Sequence, residues 1–277
     1  MQGKVSPIFR LFHQQFEEAK QNHAALGKQF RSKKAIELEQ KFIFLEIYLN
    51  LLSRIHFNED KLKFQVFSPF KGIFKNLKKV KHLKSVLNQL IEVRSKGNIT
   101  YNSYEKHLAE QKKELFTEGF DLVVSSPLHI WEDLYQEVYQ WSKGLKPLMI
   151  NTAITQIINE ELEFFHLDNK SKLDSKALKD IYEGLRVIIA LENLRIESGF
   201  NTIFVTDVHT QMQELQHSLH QWYQNHLFIQ HLSFFLREKE NIPKKYIDLL
   251  ASLKSNKKKF TAKVEDQCKH LFDRILA

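Results

Sequence analysis

The sequence predicts an all-α protein, arranged as antiparallel helical bundles in two related halves. Three observations carry that expectation. Apolar residues recur at spacings of three and four, which places them on one face of a helix. Gly and Pro number only 8 and 5 in 277 residues, so turns are few and segments long. No stretch sustains the period-two alternation of a half-buried strand. Phe200 to Val205 is the one strand-like run, and it is too short to carry a sheet.

The helix starts come first along the chain. Ser-Pro pairs stand at Ser6-Pro7, Ser68-Pro69 and Ser126-Pro127. A serine hydroxyl accepts from a free helix N–H, and proline suits the first helical position. Breaks are predicted at Gly97-Asn98, at Gly144 with Pro147, at Gly199-Phe200-Asn201 and at Asn241-Ile242-Pro243. Asp168 to Asp174 reads as a polar loop. Between these marks run the stripes. Ala35, Leu38, Phe42, Leu45, Leu49 and Leu52 form one. Leu178, Ile181, Leu185 and Ile188 form a second, and Val208, Met212, Leu215, Leu219 and Trp222 a third. Long amphipathic helices joined by short breaks give antiparallel neighbours.

A faint internal echo suggests the two halves. The stripe beginning near Glu37 is followed about forty residues later by a basic helix near Leu77. The segments near Leu178 and Met212 lie roughly thirty-five residues apart. Halves of 1–125 and 145–277 joined by a helical connection are therefore expected.

The net charge is +8 and the pI near 9.3. That balance suits acidic partners such as polyphosphate, nucleic acid or an anionic membrane surface, and equally a merely basic cytosolic protein. The single cysteine, Cys268, makes no internal disulfide and has no motif around it. The N-terminal segment carries Glu17 and Glu18 and lacks the continuous apolar stretch of a signal peptide. No segment is long and apolar enough to span a bilayer, so the expected location is cytoplasmic.

Lys61 to Leu90 carries the most information. It holds Lys61, Lys63, Lys71, Lys75, Lys78, Lys79, Lys81, His82 and Lys84, with no Asp or Glu. Uncompensated charge of this density repels itself unless something negative is near. On a helical wheel Ile73, Leu77, Val80 and Leu87 make the apolar face. Lys71, Lys75, Lys78 and His82 make a stripe opposite, which reads as a solvated face. Lys84 falls inside the apolar sector and Lys81 on its flank. An ammonium beside a core must be paired, hydrated or snorkelling. Either a carboxylate from a neighbouring helix meets these two, or they line a polar cleft where lysines bind phosphate as point charges.

The run LKKVKHLKSVLNQL from Leu77 to Leu90 resembles a signature of CHAD domains, the conserved-histidine α-helical domains, whose pattern is L-x-x-V-R-D-L-D-V-L-L. Lys81 stands for the arginine, His82 for the first aspartate and Lys84 for the second. The run MQELQHSLHQW from Met212 to Trp222 is similar to the family's L-Q-x-L-L-G-x-x-H-D. Gln213, Leu215 and His220 fall on matching positions; His217 replaces the glycine and Gln221 the aspartate. Leu178 to Leu194 is similar to L-H-x-L-R-K-x-x-K-R-L-R-Y in its apolar frame. There Lys179 replaces the histidine, Tyr182 the arginine and Glu183 the lysine, and Arg186 keeps its sign. In the first helix Glu37 replaces a histidine and Gln40 an arginine, with Lys41 nearby. The frame runs from about Lys33 to Leu236. The resemblance implies two four-helix halves around a central basic cleft that binds inorganic polyphosphate or a related polyanion. The implied ligand-binding residues are Lys71, Lys75, Lys78, Lys79, Lys81, His82, Lys84, Lys179, Arg186 and His220. Loss of several basic signature positions weakens such a cleft. The alternative is a helical scaffold for a protein partner, its ancestral site decayed.

Other chemistry finds little purchase. No Gly-rich phosphate loop, G-x-S-x-G or H-E-x-x-H run is present. Glu163 and His166 have the Glu-x-x-His spacing of bundle metal sites but no partner motif, and Glu160 and Glu161 beside them read as a solvated face. His209, His217, His220, His226 and His231 read as local packing and hydrogen bonding rather than zinc ligation. Nucleic acid is a weaker alternative partner, because the basic run lacks interleaved surface aromatics. No cofactor, metal or enzymatic activity is expected.

Overall fold

The computed structural model describes residues 6–57, 66–97, 99–168, 173–237 and 239–276. It is all-α, with no strand among the described residues. Helices α1 (Pro7–Lys28), α2 (Ser32–Ile55), α3 (Lys71–Gly97), α4 (Asn102–Ser125), α5 (His129–Ser142), α6 (Pro147–Asp168), α7 (Ser175–Glu197), α8 (Thr206–Arg237) and α9 (Lys244–Leu276) follow in chain order. A 3-10 turn, Ser68–Phe70, leads into α3. No helix among the described residues is long and apolar enough to cross a membrane.

Every predicted break separates two helices. Every residue of the three predicted stripes is buried. The serines of two Ser-Pro pairs work differently from expectation. Ser6 serves α1 through its backbone carbonyl, which accepts from Phe9 N at 3.0 Å, and its hydroxyl makes no cap bond. Ser126 donates its hydroxyl to the Val123 carbonyl at 2.7 Å and its Oγ lies 3.1 Å from His23 Nε2; it caps no helix, and α5 begins at His129. The strand-like run is a connection. Gly199 takes φ +85°, and the chain closes α7 with Phe200 N donating to Arg195 O at 3.1 Å.

The chain forms two compact units, each drawn from three stretches. The first comprises Met1–Lys81, Glu110–Asn159 and Ala190–Ile203; the second comprises His82–Ala109, Glu160–Ile189 and Phe204–Ala277. Four boundaries fall inside α3, α4, α6 and α7, and the fifth in the connection between α7 and α8.

In the first unit α1, α2 and α5 pack together around an aromatic core. Phe42 sits at its centre, with ring centroids 5.5 Å from Phe70, 5.7 Å from Phe74 and 6.1 Å from Trp131. Such ring pairs add to what area burial supplies. Buried hydroxyls find partners: Tyr48 Oη and Ser142 Oγ lie 3.1 Å apart. At Gly119 an added Cβ would stand 2.4 Å from Phe30 Cζ, so α4 approaches its neighbours at a distance only glycine permits.

In the second unit α8 packs along α9. Trp222 Nε1 donates to Thr261 Oγ1 at 3.2 Å, and Asn225 Nδ2 donates to the Leu253 carbonyl at 3.0 Å. Asp174 caps α7, its Oδ1 accepting from the backbone N–H groups of Lys176 and Ala177, both at 2.8 Å. Cys268 is fully buried, and burial pushes its thiol up to about 12, which leaves it an inert core residue.

Candidate functional site

The basic helix α3 changes its buried face along its length. In the first unit it buries Ile73, Phe74, Asn76, Leu77 and Val80. From His82 it belongs to the second unit and buries Leu83, Val86 and Leu90. At 100° per residue the buried face therefore turns by roughly a quarter to a third of a circle past Val80. A single wheel drawn over the whole segment averages the two faces. That is why Lys84, expected inside the apolar sector, is exposed.

The five sequence-predicted cations of the first unit differ in their surroundings. Lys81 meets a neighbouring carboxylate, one of its two expected fates. Its Nζ donates to Glu39 of α2 at 3.1 and 2.9 Å, and Glu39 is only 2% exposed. Lys79, exposed, pairs with Glu118 of α4 at 3.3 Å. Lys78 is half-buried and holds its ammonium 4.0 Å from the centroid of the Phe74 ring one turn earlier. Lys71 and Lys75 are exposed. Lys71, Lys75 and Lys78 are spaced by four and three, and thus form one basic strip on the outer face. Lys61 and Lys63 lie outside the described residues.

The other five predicted residues belong to the second unit. His82 and His220 enter a chain of rings there: Tyr223 Oη lies 3.3 Å from His82 Nε2, Tyr182 Oη lies 3.0 Å from His220 Nδ1, and the Tyr182 and Tyr223 rings are 5.3 Å apart. Tyr182 thus works as a buried hydrogen-bonding ring. Arg186 pairs with Glu183 one turn away on its own helix. Lys84 and Lys179 are exposed.

Several polar groups of the second unit were not singled out as site residues. Lys257 donates to Ser175 Oγ at 2.7 Å, and its ammonium stands 5.9 Å from the Trp222 ring centroid. Burial depresses its proton affinity. His226 stacks on Trp222, with centroids 5.1 Å apart and planes 8° apart. Burial, with Lys257 and Lys179 adding repulsion, lowers its pKa. Residues 254–263 hold five lysines and no acid, a second basic run that composition alone could have flagged. The Glu161 carboxyl lies against Gly184, where an added Cβ would be 2.5 Å from its Oε2, and burial, with Glu160 adding to it, raises its pKa. Of the Glu163–His166 spacing, the His166 side chain lies outside the described residues.

Chemically, these arrangements offer ammonium groups for charge-assisted contacts with anions and half-buried hydrogen-bonding rings. No protein-family model, curated protein or solved structure matches this chain.

Proposed function

We propose that this chain is a non-enzymatic helical binding protein that takes inorganic polyphosphate, or a related phosphate-rich polyanion, on the basic face of α3. One observation carries the reading. Lys71, Lys75 and Lys78 share the outer face of a helix that has no acidic residue before Glu92. Such a strip lowers its self-repulsion by taking up a polyanion and releasing that polymer's counterions. Exposed Lys84 and Lys179 in the second unit are further point charges for the same class of ligand. The finer architecture, two related four-helix bundles with a basic cleft, rests on the resemblance to CHAD domains.

A polyphosphate titration at two salt concentrations tests this. Binding at low salt that weakens steeply as salt rises is expected. Replacing Lys71, Lys75 and Lys78 together by Gln should cost at least tenfold in affinity. No binding at low salt sinks the reading.

A second reading, a scaffold for a protein partner, draws support from a different place. Phe120 and Val124 stand one turn apart on α4 and Leu128 lies in the turn that follows it; they are 36%, 57% and 82% exposed. Exposed apolar groups of this kind mark contact surfaces. A partner lost on Val124→Lys and indifferent to salt would favour this reading over the first.

A further inference from the structure

The second unit holds a groove of about 560 Å³ lined from α3, α8 and α9. That volume lies within the roughly 300–1,000 Å³ of small-ligand sites. Five carboxamides line it, Gln89, Gln221, Gln224, Asn225 and Asn256, with Phe260 as its aromatic member and Glu92 and Lys96 as its charged ones. Two of these are already committed. Asn225 is held on the Leu253 carbonyl at 3.0 Å, and Gln221 Nε2 lies 3.0 Å from His217 Nε2. The buried Nε2 of Gln89 has no hydrogen-bond partner among the described residues. A buried amide donor left unsatisfied is costly, and a turn of the Gln89 side chain toward the groove would let a ligand acceptor relieve it.

The charge around the groove narrows the ligand. Glu92 and Lys96 both line it on α3 and pair with each other at 2.6 Å, so the α3 wall carries no net charge from this pair. On α9, Asn256 and Phe260 lie one turn apart. Lys263 follows Phe260 by three residues on the same face, and Lys259 follows Asn256 by three. Both lysines are exposed. A neutral sugar would use the amides and leave the lysines idle. Inorganic polyphosphate would use the lysines and leave the amides and the ring idle. A nucleobase carrying phosphate uses all three. A carboxamide presents a donor and an acceptor side by side, matching a base edge. Phe260 offers a stacking face, and Lys259 and Lys263 meet phosphate.

We propose that the α3–α8–α9 groove of the second unit is a nucleobase-binding site, with Gln89, Gln224 and Asn256 reading the base edge, Phe260 stacking, and Lys259 and Lys263 holding phosphate. The site is independent of the α3 lysine strip. It supplies the aromatic group whose absence from the α3 run weakened the nucleic-acid reading of that segment.

Fluorescence anisotropy of the full chain with labelled adenosine and uridine decamers, RNA and DNA, tests it. An abasic phosphodiester of equal length and free AMP complete the probes. The expected result is at least tenfold tighter binding of a decamer than of the abasic strand. Phe260→Ala and Gln224→Leu should each weaken the decamer at least tenfold while leaving polyphosphate affinity unchanged. Phe260→Leu keeps the packing and removes the ring, and should reproduce the loss if Phe260→Ala proves unstable. AMP binding as tightly as the decamer identifies a mononucleotide as the ligand; decamer binding without AMP identifies single-stranded nucleic acid. Equal affinity for the abasic strand, wild-type binding by Phe260→Leu, or no binding of any nucleotide overturns the proposal. Polyphosphate binding by the α3 strip would survive each of those results.

Discussion

Lys81 of α3 donates to both carboxylate oxygens of Glu39 on α2, at 3.1 and 2.9 Å, and Glu39 is 2% exposed while Lys81 is 27% exposed. The lysine is thus the compensating charge for a buried acid. Removing one partner of such a pair strands the other, at a cost of about 3–5 kcal/mol. Lys81→Met should lower unfolding stability by that amount in urea denaturation. The double variant Lys81→Met with Glu39→Leu should recover most of it, because two apolar side chains leave no charge uncompensated. A single variant that loses under about 1 kcal/mol would show that water already solvates Glu39.

The same pairing separates Lys81 from its neighbours in ligand binding. Lys81 holds the buried Glu39 and is half-buried itself; Lys71 and Lys75 are exposed. Charge-neutralising variants at the exposed positions should reduce the salt dependence of polyphosphate affinity by about one counterion-release increment per lysine. The measurement is the slope of log affinity against log salt. A slope unchanged in Lys71→Gln with Lys75→Gln would remove α3 as the binding face.

Lys84, which a helical wheel puts in the apolar sector, is exposed, and its neighbour Leu83 is buried. Lys84→Ala should change stability by under about 0.5 kcal/mol, the usual range for an exposed position. Leu83→Ala, at a site 5% exposed, should cost about 2–5 kcal/mol by leaving a cavity. Thermal or urea unfolding of the two variants decides it, and a costly Lys84→Ala would show that the buried face of α3 does not turn.

The exposure of Lys84 marks where the sequence stopped being legible. Ala35 to Leu52, Leu178 to Ile188 and Val208 to Trp222 each keep one buried face, so their period alone located the core. The breaks were legible because Gly199 and Pro147 remove helical options locally. The turn in α3 was not legible, because it depends on which neighbours the helix meets on either side of Val80. Pairing was equally hidden: nothing in the spacing of Glu39 and Lys81, 42 residues apart, announces a bond. The groove escaped notice because glutamine and asparagine carry no periodic signal. Only the meeting of three helices makes their amides a set.

His231 gives a pH dependence with a definite sign. Its Nδ1 lies 2.8 Å from the Tyr104 hydroxyl, whose own pKa burial raises, so the hydroxyl donates to a neutral imidazole. Burial, with His107 adding repulsion, lowers His231 from 6.5 to about 4. Between those values the unfolded chain binds a proton that the folded one refuses. Stability from this group is therefore complete above pH 6.5, falls as pH drops and is gone below about 4. His23, also depressed by burial, acts in the same direction. Tm measured from pH 7 to 4 should fall, and His231→Gln, which keeps an acceptor for Tyr104, should flatten part of that fall. An unchanged slope in the variant would assign the acid sensitivity elsewhere.

Two helical glycines of the first unit make opposite predictions from one substitution. In a helix interior Gly→Ala ordinarily gains about 0.8–1 kcal/mol. At Gly72 the new Cβ would have Leu122 Cδ2 at 3.6 Å as its nearest neighbour, an ordinary contact, so Gly72→Ala should realise much of that gain. At Gly119 it would stand 2.4 Å from Phe30 Cζ and 2.5 Å from Asn76 Oδ1. The Phe30 ring is packed edge-on to Phe116 at 5.2 Å, and Asn76 is tied to the Leu115 carbonyl at 3.1 Å, so neither yields freely. Overpacking of this kind costs about 1–3 kcal/mol and outweighs the propensity term. Gly119→Ala should therefore destabilise, and Gly119→Ala combined with Phe30→Leu should recover part of the loss by opening space at the ring. Chemical denaturation of the three variants checks the order. Gly119→Ala at or above wild-type stability would mean that α4 can draw back from Phe30 without loss, and that the close approach does not hold this unit together.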